Sequence, residues 1–142
     1  MFERVKHWYQ LRKLAQERRA TQAYYDKEYD KAETEDAEQS VIAVMFQEVG
    51  VLDEKIGLLL SQRVQQEAAH LHIPTPPFSE TSGKWVEGVY TSAWRLSPEQ
   101  IHKLRATVRK ERKERWELMQ SRLTLLIGFG GMLIGLVSVL KK

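Results

Sequence analysis

At 142 residues, with 29% charged side chains, 42% apolar ones and a net charge of +3, the chain has room for one small domain with little core. The lack of cysteine excludes disulfides, thiolate zinc sites and a cysteine nucleophile, and it suits a reducing compartment. No phosphate-binding glycine loop, nucleophile elbow, H-E-x-x-H pair or dinucleotide fingerprint is present, so the chain reads as a non-enzyme with no cofactor.

Residues 2 to about 33, "FERVKHWYQLRKLAQERRATQAYYDKEYDKAE", hold no glycine or proline and many helix formers, which predicts a first helix. Trp8, Leu11, Ala15, Tyr25, Tyr29 and Ala32 recur at helical spacing, with a polar gap at Arg18 and Gln22. The acidic "ETEDAEQ" offers Asp36 and Gln39 as a capping-box pair for a second helix. In that helix Ile42, Met45, Val49, Leu52, Ile56 and Leu59 step by 3, 4, 3, 4, 3 and form a heptad seam. Gly50 and Gly57 interrupt it and mark the close approach of a neighbour. The helix should end near Ile73, because Pro74 disfavours helix in the residue before it. Together the two helices predict a coiled-coil-like antiparallel hairpin, with arms of roughly 50 Å. Such a hairpin buries little surface alone and needs the third helix, a second copy, or both.

The stretch "PTPPFSETSGKWVEGVYTSAWRLSPEQ" is loop by composition. Within it "KWVEGVYTSAWRL" alternates and is compatible with a small β-hairpin, turning at Glu87-Gly88. Trp85, Tyr90 and Trp94 read as a plug for the end of a helical bundle in preference to a ligand platform. Ser97-Pro98-Glu99-Gln100 is a strong helix start: Ser97 caps, Pro98 fits the first turn and Gln100 closes the box. From there a third helix can run without a breaker into "SRLTLLIGFGGMLIGLVSVLKK".

That ending locates the protein. From Leu123 to Leu140 there is no charge, and eighteen residues give about 27 Å of helix, near the lower limit for a bilayer core. Arg122 on one side and Lys141 with Lys142 on the other can snorkel into headgroups. A buried core helix is the alternative, but no other segment is apolar enough to wrap it. The preceding segment carries Arg109, Lys110, Arg112, Lys113, Arg115 and Arg122, which the positive-inside bias keeps in the cytoplasm in contact with anionic lipid. Nucleic acid is the less favoured partner for that basic stretch. Thr124, Gly128, Gly131, Gly135 and Ser138 step by 4, 3, 4, 3 along one face, a small-residue seam for packing spans together.

The expected fold is all-α. A helical hairpin spans 1–73 and a loop with the small β-hairpin spans 74–96. A basic juxtamembrane helix over 97–122 then continues into a transmembrane helix over 123–140. No metal site is expected: His70 and His72 point to different faces of a helix, and the acidic residues from Asp26 to Glu38 lack calcium-loop spacing.

Three stretches, "VKHWYQLRKLAQE" (Val5 to Glu17), "WRLSPEQIHKLRATVRKERKERWE" (Trp94 to Glu117) and the glycine-rich ending, resemble a group of small bacterial single-pass membrane proteins of uncharacterised activity. The Glu99-Gln100 pair departs from the Glu-Gly usual there. The resemblance implies a protein of the bacterial inner membrane, N-terminus in the cytoplasm, and no catalytic residues. The functional expectation is a C-terminally anchored, self-associating scaffold or interaction module, whose partners are itself, anionic lipids and another protein. A membrane-active effector that forms a pore or perturbs the bilayer is the alternative. The absence of charge between Leu123 and Leu140 favours the scaffold.

Overall fold

In a computed structural model the chain runs α1 (Phe2–Tyr29), α2 (Glu35–His70), β1 (Trp85–Glu87), β2 (Trp94–Leu96) and α3 (Pro98–Leu140). The structure describes the backbone of residues 2–140 and the side chains of residues 5–125, 127 and 128. It is mostly helical, with one two-stranded antiparallel sheet. The chain divides into two compact units, Met1–Leu104 and Arg105–Lys142.

α1 ends at Tyr29, four residues before the sequence suggests. The amides of Lys31 and Ala32 reach back three residues, to Glu28 and Tyr29, which tightens and closes the last turn. The cap of α2 is Thr34, and Asp36 does not serve. Thr34 is extended (φ −134°, ψ 149°) and its hydroxyl accepts from the Ala37 amide at 3.3 Å. Glu35, Asp36 and Glu38 instead fill the first turn, where carboxylates face the positive end of the helix.

The two helices are antiparallel. Tyr29 meets Glu38, Gln22 meets Met45 and Arg18 meets Asp53, so contacts step away from the turn along both helices together. The half-buried residues of α1 are His7, Leu11, Leu14, Ala15, Arg18, Thr21, Gln22, Tyr25 and Glu28, a stripe at helical spacing with polar members, and Ala32 of the turn continues it. Arg18 and Gln22 therefore face α2 and bond to it, while Trp8 and Tyr29 are 53% and 42% exposed. On α2, Val49 is buried and Ile42, Met45, Leu52, Ile56 and Leu59 are half-buried. One neighbouring helix covers only one side of such a seam.

α2 stops at His70, short of Ile73. Ile73 donates to the Ala68 carbonyl and His72 to that of Ala69, a Schellman closure that satisfies two terminal carbonyls. His72 takes the left-handed conformation this closure requires (φ 60°). Proline disfavours helix before it, but the chain has already turned when it reaches Pro74.

Ser97 caps α3, its hydroxyl accepting from the Gln100 amide at 3.3 Å. The capping box stays half-formed, because the Ser97 amide donates to the Lys84 carbonyl at 2.9 Å and ties the helix start to the hairpin. The buried apolar residues of the first unit are Val49, Val64 and Ala68 of α2, Leu96 of β2, and Ile101 and Leu104 from the start of α3. It is a short list, and Leu96 is the largest fully buried side chain in it.

Candidate functional site

β1 and β2 pair Trp85 with Leu96, Val86 with Arg95 and Glu87 with Trp94. The hairpin predicted from sequence is present, but its turn is wider than Glu87-Gly88. Gly88 donates to the Ala93 carbonyl and Ser92 donates to that of Gly88, so residues 89–92 form the loop, with Ser92 at φ 49°. The wide loop matters because its amides have a partner on α2.

That partner is Glu54. Its carboxylate accepts from the Tyr90 amide (3.2 Å), the Thr91 amide (2.9 Å) and the Thr91 hydroxyl (2.7 Å). Burial alone pushes the Glu54 carboxyl up, and these donors with the Val89 amide outweigh it, so it is held below its ordinary value. Two turns along α2, Ser61 accepts from the Leu96 amide at 3.0 Å. Before the first of these anchors and between the two, the helix surface is reduced to glycine, at Gly50 and Gly57. A side chain at Gly50 would enter the Tyr90 ring, and one at Gly57 would put its Cβ 2.7 Å from the Arg95 guanidinium. The close neighbours marked by these glycines are thus Tyr90 and Arg95. Gly50, Glu54, Gly57, Ser61, Val64 and Ala68 step by 4, 3, 4, 3, 4, a second stripe beside the first seam.

The aromatic residues pack on one another. Phe78 lies edge-on to both Trp85 and Trp94, each at 5.4 Å, and the Trp85 indole donates to the Pro77 carbonyl. Tyr90 stands apart from them, over Gly50.

A groove of about 420 Å³ opens along the hairpin near the α1–α2 turn. Tyr29, Val41, Ile42 and Met45 form its apolar lining, and Asp26 of α1 with Asp30 of the following turn its acidic one. Two residues of the predicted seam, Ile42 and Met45, therefore look into open space as well as toward α1.

In the second unit Arg109, Lys110, Arg112, Lys113, Arg115 and Arg122 are all exposed. Lys110, Lys113 and Arg115 pair with Glu114, Glu117 and Glu111 one turn away. Arg105, Arg109, Arg112 and Trp116 fall at 4, 3, 4 spacing on a different stripe, where Trp116 is 56% exposed. Of the predicted span, the described side chains are those of residues 123–125, 127 and 128. Leu123, Leu125 and Ile127 are 50%, 61% and 72% exposed. Thr124 donates its hydroxyl to the Gln120 carbonyl at 3.0 Å, and nothing lies within 4 Å of a side chain built at Gly128. Gly131, Gly135 and Ser138 of the small-residue seam lie outside the described side chains. Among the described residues no helix is long and apolar enough to cross a membrane, and most of the run from 123 to 140 is outside that set. Among them, too, no group of three or more histidines and carboxylates is placed to hold a metal ion.

No protein-family model, no curated protein and no solved structure matches the chain.

Proposed function

We propose that the chain is a C-terminally anchored membrane protein of bacterial type, whose N-terminal helical unit serves as a self-associating interaction module on the cytoplasmic side. The observation that carries this is the continuity of α3. The helix starts at Pro98, runs to Leu140, and presents Leu123, Leu125 and Ile127 half or more exposed. Exposed aliphatic side chains at this density are costly in water, at about 25 cal/mol per Å² of apolar surface. Lipid or a second span removes that cost. The exposed Arg115 and Arg122, the basic residues nearest the apolar run, suit anionic headgroups beside such a span. Thr124 and Ser138 are the only hydroxyl side chains in the run that could line a pore, and the Thr124 hydroxyl is bonded to its own helix, which favours a scaffold over a pore.

The test is membrane partition. The full chain should stay with membranes through alkaline carbonate, and a chain ending at Gln120 should be soluble. Release of the full chain by carbonate overturns the reading.

The small-residue seam adds a second expectation. Gly131→Leu or Gly135→Leu should weaken span association in a bilayer reporter assay, and Gly130→Leu, off the seam, should do much less. Equal effects at all three positions would leave the span as an anchor only.

A further inference from the structure

The groove near the α1–α2 turn has the form that takes a third helix. It lies between two antiparallel helices, and its apolar lining comes from both of them. Its charge limits what can enter. Residues 26–38 carry seven carboxylates against Lys27 and Lys31. Lys31 is paired with Glu28, while Asp30 makes no ion pair among the described residues. The occupant must be a helix with cations at one-turn spacing beside an apolar anchor. This chain supplies one. Residues 103–122 carry eight lysines and arginines against three glutamates, and the stripe Arg105, Arg109, Arg112, Trp116 lies on one face. Arg105 and Arg109 are four residues apart on a helix, and the Asp30 amide donates to the Asp26 carbonyl at 3.1 Å, so the helical spacing continues to Asp30 and each pair spans about 6 Å. Neither Arg105 nor Arg109 makes an ion pair among the described residues.

We propose that this groove seats the Arg105–Trp116 face of α3 from a second copy of the chain, closing an intermolecular three-helix bundle. Asp26 and Asp30 meet Arg105 and Arg109, and Trp116, about 10 Å further along its helix, reaches the Ile42 and Met45 end of the lining. The inference rests on the self-associating reading above and names its cytoplasmic contact. It also divides the basic helix between two tasks. Arg109 is fourteen residues before Leu123, about 21 Å along the helix, whereas the headgroup layer is only about 5–8 Å deep on each side. Arg115 and Arg122 are in reach of headgroups. Arg105 and Arg109 stand clear of them on a span along the membrane normal, where they are open to an acidic protein surface.

The chain has no cysteine, so introduced thiols report cleanly. Full-length Val41→Cys and Met119→Cys chains with different tags are mixed in mild detergent and treated with a short bis-maleimide. A tagged heterodimer is expected at 0.1 M salt, with its yield falling about fivefold or more at 0.5 M. Asp26→Lys with Asp30→Lys should lower the yield about tenfold, and so should Arg105→Glu with Arg109→Glu. Pairing the first double variant with the second restores charge complementarity and should restore the yield. Three results overturn the proposal. The first is a dimer, shown by light scattering, that gives no cross-link, which would leave self-association standing and remove only the groove. The second is no heterodimer from the two single-cysteine chains while a full-length chain carrying both Val41→Cys and Met119→Cys cross-links within itself. The third is loss of the cross-link when the two chains are reconstituted together into phosphatidylglycerol vesicles, which would give the whole basic helix to lipid. A chain that is monomeric throughout removes both this contact and the self-associating reading.

Discussion

Leu96→Ala should lower the unfolding free energy of the first unit by about 2–5 kcal/mol, the usual range for emptying a closed leucine site. Against the 5–15 kcal/mol typical of a whole domain, that is a large fraction. The size follows from how few side chains share the load. Leu96 is fully buried, its amide is fixed by Ser61, and Val64, Ala68, Ile101 and Leu104 are the other buried side chains from this end of α2 and the start of α3. Leu96→Met keeps the volume and should cost less than about 1.5 kcal/mol. Leu59→Ala, at a half-buried seam position, should fall well below the Leu96 effect. Urea titration of the full chain in mild detergent, read by far-ultraviolet circular dichroism, measures all three. Equal losses at Leu96 and Leu59 would mean that the unit is held by the hairpin seam alone.

The comparison of these two leucines shows what was legible in the sequence. The α2 seam is regular, and two of its members, Met45 and Val49, lie beside Gln22 and Arg18 of α1. Ser97-Pro98 identifies the start of α3 for a similar reason: the capping chemistry is local, and the structure uses it. α1 was harder to read, because its contact face includes Arg18, Thr21 and Glu28. A hydrophobic count skips these residues and picks Trp8 and Tyr29, which sit off the face. Arg18 belongs there because Asp53 accepts two hydrogen bonds from its guanidinium across the interface. The latch of the β-hairpin onto α2 was invisible to periodicity, since its key members are a carboxylate, a serine and two glycines. One signal does exist. Gly50, Glu54, Gly57, Ser61, Val64 and Ala68 share a stripe of mostly small residues, and small residues at heptad spacing mean that something approaches the helix backbone closely. What approaches is set by a loop some thirty-five residues away, and no local rule reaches that far. The groove was hidden for the same reason. Ile42 and Met45 satisfy the seam pattern, but the pattern is silent on how much of each side chain α1 leaves uncovered.

Glu54→Ala should lower the melting temperature of the first unit by about 5–15 °C at pH 7, because it leaves the loop amides of Tyr90 and Thr91 and the Thr91 hydroxyl without their acceptor. Glu54→Gln separates charge from shape. The amide oxygen can still accept, but it lacks the charge that strengthens these bonds, so it should fall between the wild type and alanine. The pH dependence then identifies the carboxylate as the source. Burial pushes Glu54 up and the hairpin donors more than reverse it, so its folded value lies below the ordinary 4.5. A carboxyl depressed by folding binds its proton more readily in the unfolded chain. Its stabilisation is therefore full above the unfolded value and drains away as pH falls through the folded one. The melting-temperature gap between wild type and Glu54→Gln should be constant from pH 7 down to about pH 5.5 and close progressively below about pH 4.5. Calorimetry of the two full-length proteins across that range gives the answer. A gap that persists undiminished to pH 3 would mean that Glu54 acts through its shape, and that the hairpin is held to α2 by Ser61, Tyr90 and Arg95 without help from its charge.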